Sequence, residues 1–250
     1  MGYTLECCVD SVESAIAAKK GGADRIELCS ALVIGGLSPS QALYRKIREQ
    51  VDIQIRVLLR PRFGDFCYTD FEQEILKEEI KSFVNLGADG IVIGAMKPDG
   101  TLNLEQMKEF IEEAKGMPVT LHRAFDMCKD PFVTLEEAKE LGISTILTSG
   151  QKNTCVDGME LLKELVEKAQ GETEILVGGG VDASVLPMLA EKTKAKAYHM
   201  SGKISMESEM RYRKQDVSMG IASVSEYEIW RTSEKRVREA GRFLMNCKNL

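Results

Sequence analysis

The stretch Gly21-Gly22-Ala23-Asp24-Arg25-Ile26-Glu27-Leu28-Cys29 passes from the end of one predicted helix into a predicted strand. Glycine ends a helix readily because it adopts the left-handed backbone conformation at little steric cost. Similar glycine phrases precede predicted strands at Gly87-Ala88-Asp89 and Gly142-Ile143-Ser144. This repeat is typical of the loops that lead from helix to strand in a chain of βα units.

Short runs rich in β-branched residues alternate with amphipathic segments along the chain. The predicted strands cover residues 5–9, 25–29, 53–59, 90–94, a stretch from residue 119, and residues 145–148, 174–177 and 196–200. Because a helical segment follows each strand, the pattern predicts an α/β fold, the (β/α)8 TIM barrel. An open doubly wound sheet is the alternative. We expect a single domain over residues 1–250 with a long C-terminal helix over residues 225–246.

Composition narrows the class of protein. The chain has 250 residues and a formal net charge of −6, with no basic block, which argues against nucleic acid and anionic membranes as partners. No apolar run approaches the roughly 20 residues of a membrane-spanning helix, and no signal peptide is evident. The seven cysteines form no CxxC pair. We therefore expect free thiols and a cytoplasmic protein.

Polar residues close the fifth predicted strand: His122, Arg123 and, three positions later, Asp126. The carboxyl ends of strands are where α/β proteins bind ligands, so His122 and Asp126 are candidate catalytic residues. Side chains alternate faces along a strand, and we expect Thr120 and His122 to point inward while Arg123 reaches the site from the loop. A packed, hydrogen-bonded core histidine is the alternative for His122. The second histidine of the chain, His199, also closes a strand-like run.

Two predicted strands end with the same spacing, Glu6-x-Cys8 and Glu27-x-Cys29. Residues two apart face the same side of a strand, so each strand presents a carboxylate and a thiol together. If the strands are neighbours, Cys8 and Cys29 stand side by side and suit a soft cation such as Cu(I). The alternative is that both are small core residues. Glu27 is the third candidate catalytic residue.

Groups that attract negative charge lie at several other predicted strand ends. Glycine-rich backbone that leads into a helix exposes N–H groups beside the positive end of the helix dipole. The candidate anion-binding or substrate-binding residues are Arg60, Arg123, Ser149, Gly178, Gly179, Gly180, Ser201 and Gly202. A tight turn that requires glycine is the alternative for residues 178–180. We expect a pocket for a small anion or phosphorylated ligand.

Several phrases together resemble one known family. They are Glu6-x-Cys8-Val9-Asp10-Ser11, Gly22-Ala23-Asp24-Arg25-Ile26-Glu27-Leu28-Cys29, Gly35-Gly36-Leu37-Ser38-Pro39-Ser40, Arg60-Pro61-Arg62-x-Gly64-x-Phe66, Leu121-His122-Arg123-Ala124-Phe125-Asp126, Leu147-Thr148-Ser149-Gly150 and the loop at residues 178–180. In this collinear order, over residues 5 to about 217, they resemble the CutC family, which is associated with copper homeostasis. The resemblance implies a cytoplasmic TIM barrel that forms a homo-oligomer, and it extends a Cu(I) role to Cys8 and Cys29.

The sequence leaves three functions open. The first is a copper-handling protein that binds Cu(I) through Cys8 and Cys29. The second is an enzyme that acts on a small anionic or phosphorylated substrate at the C-terminal mouth of the barrel, with Glu27 or His122 as the acid–base group. The third is a scaffold with a vestigial pocket. Whether the chain catalyses a reaction is not decided by its residues alone.

Overall fold

A computed structural model describes residues 2–221 and 224–247. Within these residues, eight parallel strands form a closed barrel in chain order, and the last strand pairs with the first. The strands are β1 (Thr4–Val9), β2 (Arg25–Leu28), β3 (Gln54–Leu58), β4 (Gly90–Ile93), β5 (Val119–Leu121), β6 (Thr145–Thr148), β7 (Glu174–Val177) and β8 (Ala197–Met200). The predicted (β/α)8 TIM barrel is confirmed.

Helices cover the outside of the barrel. They are α1 (Val12–Gly21), α2 (Gln41–Gln50), α3 (Asp70–Asn85), α4 (Leu104–Glu113), α5 (Pro131–Glu140), α6 (Met159–Ala169), α7 (Leu186–Thr193) and α8 (Glu234–Cys247). Side chains fix several of the helix starts. The hydroxyl of Ser11 accepts from the backbone N–H of Ser14, and Thr69 forms a reciprocal capping pair with Glu72. These caps set the points at which the chain turns back along the barrel.

The two faces of the strands bury different kinds of side chain. A large apolar cluster fills the space between strands and helices. Inside the barrel, two small apolar clusters are present, Cys29 with Leu58 and Val92, and Leu147 with Leu176 and Ala197. Much of the remaining interior is polar, because Glu6, Arg25, Glu27, Arg56, Thr120 and Thr145 are all buried. Arg56 donates to the hydroxyls of Thr120 and Thr145, so the prediction that Thr120 points into the barrel is confirmed.

The C-terminal region differs from the prediction. The chain forms an antiparallel pair after the barrel, β9 (Lys203–Glu207) with β10 (Glu228–Thr232), and α8 begins at Glu234 rather than at residue 225. Residues 228–232 include Ile229, Trp230 and Thr232, which are residue types enriched in strands, and the Trp230 ring lies under the Lys203 ammonium group. Next, α8 packs on α1, where a Cβ on Gly21 would come within 2.6 Å of Val237. In the part of the chain described, no helix combines the length and the apolar character needed to span a bilayer.

Candidate active site

A cavity of about 370 Å³ opens at the carboxyl ends of the strands. Predicted site residues from four strand ends line it: Cys8, Glu27, Arg60 and His122. Arg123 and Ser201 also reach its wall, together with Phe66, His199 and Lys203. The fold therefore brings together residues that lie far apart in the sequence, at the end of the barrel where such sites are expected.

His122 is 4% exposed and its ring is held by its own loop. The backbone N–H of Ala124 donates to Nδ1 of His122 over 3.1 Å, so the proton of the neutral ring is on Nε2. Burial, together with the positive charge of Arg60, lowers the pKa of His122 to about 3. The ring packs on Phe66, with 4.8 Å between the ring centroids. His122 is thus a neutral N–H donor at neutral pH rather than a cation.

Glu27 stands beside the cavity in register with Cys8 and Arg56 on its neighbouring strands. Burial raises the pKa of Glu27 to about 7, against the opposing pull of the nearby His199. Its Oε2 atom is buried and has no hydrogen-bond partner among the described residues. A carboxyl group with this pKa exists in both protonation states near pH 7, which suits it to accept and return a proton.

Arg60 is 8% exposed and brings a positive charge to the wall of the cavity. Its hydrogen bonds among the described residues go to the backbone carbonyls of Ile34, Gly36 and Gly64, while its Nε–H is buried and unpaired. Its guanidinium group lies over the Phe66 ring. Carbonyl groups do not neutralise a cation, so this buried charge favours an anionic ligand.

The other histidine of the chain, His199, belongs to a chain of ionic contacts through the barrel. Its Nδ1 lies 2.7 Å from Oε1 of Glu6, and the other oxygen of Glu6 accepts from Nε of Arg25. Arg25 also lies 3.5 Å from the half-buried Glu174 at the opposite end of the barrel. Burial would raise the pKa of Glu6, but the hydrogen bond from His199 and the charge of Arg25 lower the pKa to about 2. Burial would lower the pKa of His199, but the charges of Cys8 and Glu27 and hydrogen bonds with Cys8 and Glu6 raise it well above its usual range.

Sequence reasoning assigned no role to His199 or Glu6. The signal that points to them is the second histidine at a strand end, combined with a glutamate on the first strand. Among the described residues, donor atoms of Glu6, Glu27 and His199 lie within 4.8 Å of one another, the spacing of a metal site. However, Glu6 is already paired with Arg25 and with the imidazole, and Arg56 adds a second buried cation nearby. The group therefore resembles a charge-balanced set of acids and bases more than a site for a divalent ion.

Cys8 and Cys29 lie in different surroundings. Cys8 lines the cavity, and its Sγ is 3.8 Å from the carbonyl oxygen of Met200. Cys29 is fully buried, packs with Leu58 and Val92, and donates to the carbonyl oxygen of Val9. Burial, followed by the negative charges of Cys8 and Glu27, raises the pKa of the Cys29 thiol well above its usual range. Metal ligation requires thiolates, and burial among apolar side chains disfavours that form of Cys29.

Asp126 does not itself line the cavity but organises a loop beside it. Its carboxylate accepts from the hydroxyl of Thr148, from the backbone N–H groups of Ser149 and Gln151, and from Nε of Arg123. Arg123 also donates to the hydroxyl of Ser149. The predicted catalytic Asp126 and the predicted anion-binding Ser149 thus both pair with Arg123, and the three residues hold the loop after β6 in place.

The glycine-rich loop after β7 packs closely against neighbouring side chains. A Cβ on Gly178 would come within 2.6 Å of Leu147, and one on Gly179 within 2.9 Å of Ser149. Gly180 and Gly202 instead line a second cavity of about 500 Å³, together with Ser201, Lys203 and Arg236. Five of the residues predicted to bind one anion are therefore divided between two cavities that share Ser201 and Lys203, and the other three, Ser149, Gly178 and Gly179, line neither cavity.

Comparisons by sequence agree with one another. A family model described as the CutC family matches residues 3–204. A copper homeostasis protein cutC homolog from Homo sapiens is 41% identical over 238 residues, which cover 95% of this chain and 87% of that protein. A family protein CutC from Bacteroides fragilis (strain YCH46) is 41% identical over 239 residues, which cover 95% of each.

Comparisons by structure agree as well. The crystal structure of a CutC protein from Streptococcus agalactiae has a TM-score of 0.76 and 29% identity, covering 80% of this chain and 98% of that one. A monomeric form of phosphoribosylanthranilate isomerase from Thermotoga maritima has a TM-score of 0.56 and 12% identity, covering 99% of this chain and 100% of that one. The second likeness shows the barrel fold alone.

Proposed function

This chain belongs to the CutC family, and on that premise we propose that it is an enzyme that moves a proton at a carbon next to the carbonyl group of a small anionic substrate. One observation carries the proposal. Among the described residues, five buried side-chain atoms lack a hydrogen-bond partner, and three of them belong to side chains that line the cavity: Glu27 Oε2, Arg60 Nε and His122 Nε2. An unpaired buried polar group costs about 1–3 kcal/mol, and a ligand that pairs all three recovers this cost.

The three groups have complementary roles. Arg60 holds the anionic end of the substrate, because its buried charge is paired with carbonyl groups only. His122 donates its Nε2 proton to the carbonyl oxygen and so stabilises the charge that develops there. Glu27 accepts the proton from the neighbouring carbon. A neutral histidine and a carboxylate base that line one cavity are a combination that suits enolisation at neutral pH.

Solvent exchange tests this function without knowledge of the natural substrate. The protein is incubated in D₂O with pyruvate or dihydroxyacetone phosphate as anionic probes and with acetone as the neutral control, and loss of C–H signal is followed by proton NMR. We expect exchange of an anionic probe by the wild type, and a loss of about 100-fold or more in Glu27→Gln. Exchange that is absent for both anionic probes, or equal in the wild type and Glu27→Gln, would contradict the proposal.

Cu(I) binding through Cys8 and Cys29 stays a prediction of the sequence and of the family resemblance, supported by the names of the relatives and opposed by the surroundings of Cys29. Titration of the protein with Cu(I) against a competing chelator tests it. Tight binding that disappears in the Cys8→Ser and Cys29→Ser double variant would establish the site, and equal affinity in the double variant would exclude it. A cytoplasmic homo-oligomer is likewise a prediction from the resemblance.

A further inference from the structure

Cys8 on β1 lines the cavity. Its neighbours include Glu6 and His199, which the proposed proton transfer does not use. Glu6 and Cys8 are two positions apart on β1 and therefore face the same side. Strand β1 pairs with β8, with Glu6 in register with His199. The Cys8 Sγ lies 3.8 Å from the carbonyl oxygen of Met200, the residue after His199, and the Cys8 and His199 side chains both line the cavity.

Glu6, His199 and Cys8 are arranged in the sequence acid, base and nucleophile, which activates a nucleophile. Glu6 holds Nδ1 of His199 at 2.7 Å, and Arg25 in turn holds Glu6. This leaves Nε2 as the ring nitrogen that can serve a third group. A thiol that shares a cavity with an imidazole oriented by a carboxylate has the components of a thiol-based catalytic triad. Cys7, the adjacent thiol, belongs instead to the apolar cluster on the opposite face of the strand.

We infer that Cys8 is a nucleophilic thiol that forms a covalent bond with an electrophilic carbon of a small anionic molecule in the cavity. His199 takes the thiol proton and holds it on Nε2, which leaves a thiolate beside an imidazolium. With a carbonyl compound, a sulfur electron pair forms the C–S bond and the carbonyl π pair moves to oxygen. That oxygen then takes the proton from His199, so the step balances without an oxidant or reductant.

The anionic character of the molecule follows from the charges around the thiol. Arg60 and Lys203 line the same cavity as Cys8, and the hydrogen bonds of Arg60 end on backbone carbonyls. This inference does not rest on the proposed proton transfer, since it uses Cys8, His199 and Glu6 rather than Glu27 and His122. Either can fail while the other stands.

Alkylation by matched probes tests the nucleophile. The native protein is treated with iodoacetate or with its neutral analogue iodoacetamide, and the rate of modification of each cysteine is measured by peptide mass spectrometry. In this reaction the sulfur–carbon bond forms, iodide leaves and the thiol proton remains on His199. Cys67 is the internal control, because it is the most exposed of the cysteines whose side chains the structure describes. If accessibility alone decided reactivity, Cys67 would react before Cys8.

We expect Cys8 to react roughly 100-fold faster than Cys67 and faster with iodoacetate than with iodoacetamide. His199→Gln retains a donor for Glu6 but accepts no proton, so the rate at Cys8 is expected to fall by a similar factor while the melting temperature shows that the fold persists. Cys7→Ala, the matched control on the other face of β1, is expected to leave the rate at Cys8 unchanged. Slower modification of Cys8 than of Cys67, or an unchanged rate in a folded His199→Gln protein, would overturn the inference.

Discussion

The backbone N–H of Ala124 donates to Nδ1 of His122 over 3.1 Å, so a residue two positions further along the chain sets the tautomer of the residue that follows β5. The backbone of Gly94 lies against the same ring, and a Cβ there would come within 2.7 Å of it. The hydrogen bond from Ala124 and the close packing against Gly94 therefore hold the His122 ring in one orientation and one tautomer.

The two histidines are predicted to differ in charge at neutral pH. Burial lowers the pKa of His122 to about 3, whereas the charges of Cys8 and Glu27 raise the pKa of His199 well above its usual range. Nitrogen-15 NMR of the two rings at pH 7 should show one neutral ring protonated at Nε2 and one imidazolium. The sequence contains only these two histidines, so His122→Gln assigns the signals. A ring of His122 that titrates near pH 6.5 would contradict the structure.

Glu27 is predicted to make stability fall as pH rises. A glutamate ordinarily ionises near 4.5, whereas burial raises the pKa of Glu27 to about 7. Between these values the folded state retains a proton that the unfolded chain has lost, so the free energy of unfolding decreases toward pH 8. In Glu27→Gln this decrease should be smaller by about 1–3 kcal/mol in urea unfolding measured at pH 5 and pH 8. Parallel pH profiles of Glu27→Gln and the wild type would argue against the shifted pKa, and the exposed Glu160→Gln is the control.

Arg60 is predicted to make the protein respond to anions. Sulfate at about ten times its dissociation constant should stabilise the native state by about 1.4 kcal/mol, which raises the melting temperature by about 3–6 °C. Arg60→Met should lose this shift. Arg123→Ala is the matched control, because Arg123 is already paired with Asp126 and Ser149. Arg123→Ala should lower the basal melting temperature and keep the response to sulfate. If Arg123→Ala lost the response and Arg60→Met kept it, the anion would bind at Arg123 instead.

Asp126 is predicted to act on stability rather than on chemistry. Its carboxylate accepts hydrogen bonds from two backbone N–H groups, two hydroxyls and Arg123, and an amide cannot accept all of them. Asp126→Asn should lower the free energy of unfolding by about 2 kcal/mol in chemical denaturation. Asp157→Asn removes a carboxylate at an exposed position and should change stability by less than about 0.5 kcal/mol. Similar effects of the two substitutions would remove the structural role assigned to Asp126.

Alternation along single strands predicted much of the site. Side chains two positions apart on a strand face the same side, and this rule places Cys8, Glu27 and His122 on the inner face of the barrel. Each of these side chains lines the cavity. The role of His199 did not follow, since it depends on Glu6 across the seam where β8 meets β1. Strand periodicity within either segment carries no information about that pairing.

Sequence patterns also did not predict the structure of the loop after β6. Gly150 and Gly158 pack so closely that a Cβ on Gly150 would come within 2.2 Å of the Gly158 carbonyl oxygen. Ser149, next to Gly150, contacts Arg123 and Asp126, which were predicted as an anion-binding residue and a catalytic residue. The prediction of a helix from residue 225 was wrong for a related reason, because the strand Glu228–Thr232 depends on pairing with Lys203–Glu207, about 25 residues earlier.

The charged interior of the barrel has a consequence for how the chain reaches its native pairing. A slip of one residue between parallel strands exchanges their two faces. Such a slip in β1 or β2 would move Glu6, Arg25 or Glu27 into the apolar layer beneath the helices, where an unpaired charge costs several kcal/mol. A purely aliphatic interior would tolerate the same slip far better. The ion pairs that serve the site therefore also penalise misregistered barrels during folding.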